Sequence, residues 1–226
     1  MKGTPFFAAA GAIFRKDVRA ELRSRELIGS MVLFALLAVL VFSFALELNR
    51  QERMDSISGV LWVTLIFASI LGLNRSMAME RDQGNLDALL LAPISRPAIY
   101  IGKLAGNLVF VLSVAAALAV VITILFNATL FDPRLLLVLG LGAIGYSTVG
   151  TLLAAMSVQT RARESLLPII MLPVALPLLL ASVRATSALL NGAPDDQWLP
   201  WLSILIVLDI IFLVLGFLLF EFVVED

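Results

Sequence analysis

Six stretches of this chain are long and apolar enough to cross a lipid bilayer, and no other feature narrows the possible folds so far. They are residues 27–48, 57–77, 99–126, 135–158, 166–190 and 199–223. A helix needs about 20 mostly apolar residues to span the hydrocarbon core. Inside that core every backbone polar group must be paired within the protein, and runs of this length do so as helices. Of the 226 residues, 61% are hydrophobic and 15% charged. A soluble domain has about 45–50% and about 25%, so no water-soluble fold hides this much apolar surface. The sequence predicts an all-α polytopic membrane protein, a single membrane domain with six transmembrane helices.

The basic residues set the orientation. With the N-terminus inside, Lys2, Arg15, Lys16, Arg19, Arg23, Arg25, Arg75, Arg81, Arg96, Lys103, Arg161 and Arg163 face the cytoplasm, and Arg50, Arg53, Arg134 and Arg184 face out. This bias places both termini in the cytoplasm and the chain in the inner membrane. Trp198 and Trp201 then fall at the outer start of the last span, where amphipathic rings belong. Residues 5–25 read as an amphipathic helix lying in the interface. Phe6, Phe7, Ala10, Phe14, Val18 and Leu22 recur at helical spacing beside a stripe of Arg15, Arg19 and Arg23.

Three spans carry unusual residues. The fifth holds Pro168, Pro173 and Pro177 and then Arg184, too deep for a simple straight span. It reads as a shorter, proline-bent helix followed by a re-entrant or interfacial segment near 182–190. The prolines serve either the bend alone or a central pathway. In the fourth span, Gly140, Gly142, Gly145 and Gly150 suit close helix packing. Asp209 lies near the middle of the last span, where a carboxylate is expensive. It marks either a helix contact or a transport role.

What the sequence lacks excludes whole classes. There is no His and no Cys. That removes HExxH metalloproteases, His-assisted nucleophiles, thiolate sites and His ligation of haem or zinc. No GxxxxGK[ST] occurs, so the chain has no phosphate-binding loop of its own. A net charge of −1 gives no electrostatic footprint for nucleic acid. The chain reads as a non-enzyme with no catalytic residue, no metal site and no directly bound cofactor.

The most informative segment is 74–103, NRSMAMERDQGNLDALLLAPISRPAIYIGK. The cluster Glu80-Arg81-Asp82 precedes a break at Gly84. Asn85 can cap a short helix over 86–91, which Pro93 ends and Pro97 keeps from continuing. Leu86, Leu89 and Leu90 form one apolar face, which rests either on lipid or on a partner.

This stretch resembles the coupling segment of type-2 ABC exporter permeases, carried here by Glu80, Asp82, Gly84, Asn85, Leu86, Asp87, Leu89, Leu90, Pro93, Arg96, Gly102 and Lys103. Asn85 stands where Thr is commoner; both cap helices. Within that class, the run from Gly140 to Ala181, GLGAIGYSTVGTLLAAMSVQTRARESLLPIIMLPVALPLLLA, is similar to the B subunit of the cytochrome c maturation system, the haem exporter protein B (CcmB) family. The resemblance covers nearly the whole chain. It implies a cytoplasmic coupling helix that grips a separate ATP-hydrolysing ABC subunit. It further implies partner subunits that handle haem, and a role in loading or releasing the haem chaperone for c-type cytochromes. A homodimer within the complex is expected, because six helices form half of a usual ABC membrane domain. Without His or Cys, haem iron would be ligated by a partner, or here by nothing stronger than Met or Tyr. A mechanical role, passing ATP-driven motion to a haem-handling subunit, suits the residues as well as export does. Three alternatives stay open at this point: a type-2 permease for a drug, lipid or polysaccharide, a proton-coupled carrier built on Asp209, and an intramembrane enzyme.

Overall fold

The computed structural model describes residues 5–45, 50–82, 91–158 and 163–225, with side chains described over 5–45, 56–80, 91–156 and 167–222. Seven long helices make up these residues, with no strand among them: α1 Phe6–Ser24, α2 Glu26–Ala45, α3 Arg50–Asp82, α4 Arg96–Phe126, α5 Pro133–Val158, α6 Arg163–Leu190 and α7 Asp195–Glu225. Six segments are long and apolar enough to cross a membrane: Glu26–Ala45, Ser56–Glu80, Arg96–Phe126, Pro133–Met156, Leu167–Leu190 and Asp195–Phe222. The chain is an all-α, multi-pass membrane protein.

Local chemistry sets the helix boundaries. Arg25 adopts a left-handed conformation (φ 54°) and turns the chain from α1 into α2. Asn127 does the same after α4, with φ 51°, and Gly192 after α6, with φ 66°. Asn and Gly are the residues that tolerate this region best. The Asp132 carboxylate accepts the Arg134 N–H at 2.7 Å, capping α5, and Pro133 opens that helix where a missing N–H costs nothing. Pro97 likewise sits in the first turn of α4, behind an extended Ser95. It starts the next helix as well as separating it from the segment before.

The bundle is built around α3 and α5. Helix α3 packs on α2, α4, α5 and α6; α5 packs on α3, α4, α6 and α7. Leu61, Trp62, Leu65 and Ile66 of α3 and Val138, Ala143 and Tyr146 of α5 are almost fully buried. The outer helices bury single stripes. In α2 the stripe is Leu27, Met31, Ala35 and Val39, spaced four apart. In α7 it is Leu205, Asp209, Gly216 and Phe220. Val41, Phe44, Ile124, Ile169, Val207 and Phe222 point outward, the apolar belt that lipid covers in a membrane protein.

Two expectations change. Helix α6 runs unbroken to Leu190, with no re-entrant segment over 182–190. Ser182, Ala185 and Thr186 are buried against the bundle, and Trp62 Nε1 donates to Thr186 Oγ1 at 2.9 Å, which anchors this last stretch to α3. Arg184 is exposed on the opposite side, within two turns of the helix end; a long Arg side chain reaches the polar boundary from there. Pro173 and Pro177 are exposed and Pro168 half-buried, so none of them points into the interior of this chain's own bundle. Three of the four glycines in α5 serve packing. A Cβ at Gly142 would meet Trp62, one at Gly150 would meet Leu73, and one at Gly145 would lie 2.5 Å from Asp209 Oδ1. Gly140 has open space.

Helix α1 has three faces where two were expected. Ala9, Ala10, Ile13, Asp17 and Glu21 are buried, and the helix docks on α4. Phe7 and Leu22 form an exposed apolar edge, and Arg15, Arg19 and Arg23 lie on the remaining side. An interfacial helix so arranged meets protein, lipid and water at once.

Candidate functional site

The docking of α1 on α4 begins with two glycines. A Cβ at Gly102 would stand 2.8 Å from the Ala10 carbonyl oxygen and 2.8 Å from Ile13 Cβ; one at Gly106 would stand 3.4 Å from Asp17 Cβ. Gly102 and Gly106 are a G-x-x-x-G pair, the spacing that lets two helix backbones approach. Between them lies Lys103, whose side chain is 1% exposed.

An ammonium so placed needs partners, and α1 and α3 supply them. Lys103 Nζ lies 2.9 Å from Asp17 Oδ2 and 2.9 Å from Glu80 Oε1, and donates to Asp17 Oδ1 at 3.2 Å. Lys16 donates to both Glu80 oxygens, at 2.6 and 2.7 Å, and lies 3.4 Å from Asp17. Two cations and two carboxylates thus balance in a cluster shared by three helices, with Lys16 alone substantially open to solvent. Burying ions is costly, and losing one partner from such a group costs far more than the intact group contributes. The cluster therefore fixes α1, the end of α3 and the start of α4 relative to one another.

Two more ties lie at this end. The Glu21 carboxylate accepts the backbone N–H groups of Ile28 at 2.7 Å and Leu27 at 3.3 Å, capping the N-terminus of α2 from the preceding helix. Arg75 of α3 pairs with Glu26 of α2. At the opposite end, Asp195 joins α7 to α5: it lies 3.6 Å from Arg134 and accepts the Trp198 indole N–H at 3.0 Å.

Of the coupling residues expected from the sequence, Glu80 turns its carboxylate inward to Lys16 and Lys103. Gly84, Asn85, Leu86, Asp87, Leu89 and Leu90 lie outside the described residues, as does most of the expected helix over 86–91. Asp82 is the last residue of α3, with only its backbone described. Leu91 is 87% exposed, and Pro93 is exposed beside it. Arg161 lies outside the described residues, and the side chains of Arg163 and Glu164 are likewise not described. Asp209 is 6% exposed, and neither of its carboxylate oxygens has a hydrogen-bond partner among the described residues. Tyr146 Oη and Ser182 Oγ share that condition. Sequence reading counted Lys16 only as an inward-facing charge, named Lys103 as such a charge and as part of the coupling-segment resemblance, and gave Asp17 no role. The available signal was the Gly102/Gly106 pair, which announces a close helix contact around Lys103.

Comparison with known proteins places this geometry in a family. The family model described as "CcmB protein" matches residues 8–224. The chain is 30% identical over 216 residues to Heme exporter protein B of Bradyrhizobium diazoefficiens, covering 92% of this chain and 93% of that one. It is 29% identical over 172 residues to Heme exporter protein B of Rhodobacter capsulatus, covering 75% and 78%. To Heme exporter protein B of Escherichia coli K12 it is 25% identical over 200 residues, covering 86% and 89%. The matched span takes in every helix, from α1 with its half of the charge cluster to the buried stripe of α7, and the chain belongs to the CcmB family.

Proposed function

We propose that this chain is the membrane permease of an ABC complex that handles haem for cytochrome c maturation, with ATP hydrolysed by a separate cytoplasmic subunit. Family membership and the relatives' name, Heme exporter protein B, support haem over another cargo. The sequence holds no phosphate-binding loop, which suits hydrolysis on another chain. It also holds no His or Cys, which suits haem ligation by partner subunits. On this reading both termini and the segment 83–90 face the cytoplasm of an inner-membrane protein, following the distribution of Lys and Arg. The chain works as a homodimer beside the haem-handling subunits.

The single observation that carries the reading is the buried cluster of Lys16, Asp17, Glu80 and Lys103. It lies at the root of the segment that bears Gly84, Asn85, Leu86, Asp87, Leu89 and Leu90. A push on that segment reaches α3 through Asp82 and Glu80, and crosses at once to α1 and α4. Such a joint converts a docking event outside the bilayer into displacement of two helices. Replacing Leu89 and Leu90 together with Asp tests it. The variant is expected to insert normally and to lose co-purification of the ATPase subunit from mild detergent. ATPase retained at the parental level by an inserted variant overturns the assignment.

A further inference from the structure

A second feature lies at the α1 end, apart from the charge cluster. Helices α2 and α6 both pack on α3. They leave a crevice of about 470 Å³ whose lining includes Ser30 of α2, Ile70, Leu71, Asn74 and Arg75 of α3, and Pro168 of α6. Its chemistry is graded along α3. Ile70 and Leu71 lie deeper in the span, and Asn74 and Arg75 lie one turn nearer the helix end. Leu71 is 49% exposed, and the Arg75 side chain 45% exposed, so the crevice opens sideways to the surroundings of the bundle.

Arg75 is not used up by its ion pair. A guanidinium carries five N–H donors in a fixed fork, and Glu26 engages one of its terminal nitrogens. Asn74, with its side-chain amide, lines the same crevice beside Arg75 and Ser30. Ser30 Oγ donates its one proton to the Leu27 carbonyl at 2.9 Å, so it borders the site without supplying a donor to it. Fork geometry matches a phosphate, and the level fits: Arg75 pairs with the first residue of α2, where that span begins. Below the phosphate position the wall is apolar, with Leu71 49% exposed and Ile70 buried behind it.

We infer that this crevice is a binding site for one phospholipid of the leaflet at the α1 end. Arg75 and Asn74 hold the phosphodiester, and an acyl chain runs down α3 over Leu71. The crevice takes the headgroup and glycerol region, and the chains continue into the bilayer. Glu26 competes with the phosphate for Arg75, so the site is a three-way balance in which the carboxylate weakens lipid capture.

The full-length chain, purified in mild detergent and titrated with dioleoyl phosphatidylglycerol, tests this by native mass spectrometry of the lipid adducts. One tightly held lipid is expected. Arg75→Ala is expected to weaken it by about tenfold, the scale of one charge-assisted contact. Glu26→Gln is expected to tighten it, a change that a folding defect would not produce. Dioleoylglycerol, which lacks the phosphate, is expected to bind no better than to Arg75→Ala. Equal retention of phosphatidylglycerol by wild type and Arg75→Ala overturns the site. So does unchanged or weaker retention by Glu26→Gln, or capture of dioleoylglycerol as tight as that of the phospholipid.

Discussion

Lys103→Met is the sharpest probe of the buried cluster. In the parent, Lys103 holds Asp17 at 2.9 and 3.2 Å and Glu80 at 2.9 Å. Methionine keeps much of the stem volume and removes the charge. Glu80 then still has Lys16, but Asp17 is left with Lys16 alone, at 3.4 Å, while its side chain is 7% exposed. Removing one partner of a buried ion group costs about 3–5 kcal/mol. Lys16 is partly exposed and can shift toward Asp17, which argues for the lower end, about 3 kcal/mol. The loss falls on the contact between α1 and α4, so it appears first as detachment of α1 rather than global unfolding. At 1.4 kcal/mol per tenfold, it raises the detached population about 100-fold. The chain has no cysteine, so Ala9→Cys, on the buried face of α1, introduces a single reporter. Its rate of thiol labelling in detergent should rise about 100-fold in the Lys103→Met background. Adding Asp17→Asn should recover most of the loss, because Lys16 and Glu80 then remain as a balanced pair. Labelling within about threefold of the parent would refute the reasoning, since it would make the cluster energetically idle.

Two further outcomes follow from the same end of the bundle. Gly102→Val drives a side chain against the Ala10 carbonyl and Ile13; such overpacking costs about 1–3 kcal/mol, so the same cysteine should label about tenfold faster, and an unchanged rate would mean that α1 does not lie close to α4. Glu21→Gln keeps the shape of the α2 cap and removes its charge; the amides of Leu27 and Ile28 should exchange with deuterium several-fold faster, in keeping with caps worth about 1 kcal/mol, and equal protection would dismiss the cap.

The six membrane helices were legible because apolar length is a local property. A run of twenty apolar residues needs no knowledge of its neighbours to be assigned. Partnerships between helices are not local, and here the sequence misled or fell silent. Arg184 read as a charge too deep for a span, because its periodicity against Ser182 and Thr186 places it on the outer side only once α6 is known to be continuous. Lys103 read as a loop charge that obeys the orientation rule. Its burial depends on Asp17 and Glu80 arriving from helices 86 and 23 positions away in the chain. The stripe of Phe6, Ala10, Phe14 and Leu22 was visible in α1, but its inward face turned out to carry Asp17 and Glu21. Acidic residues look solvent-facing in a linear reading, and become interior when a neighbouring helix offers a cation or uncapped N–H groups. Glu80 was picked out by resemblance, and the structure adds the partners that explain its position.

The single buried line of α7 has an evolutionary consequence. Leu205, Asp209, Gly216 and Phe220 are buried where this helix seats on the bundle beyond Trp198, with Gly216 giving room to the Tyr100 hydroxyl. The greater part of its circumference is exposed. Among homologues, the residues on that outer side are free to drift among Leu, Ile, Val and Phe with little effect on how the helix seats. An outer-side position that refuses such drift would point to a neighbouring subunit resting there.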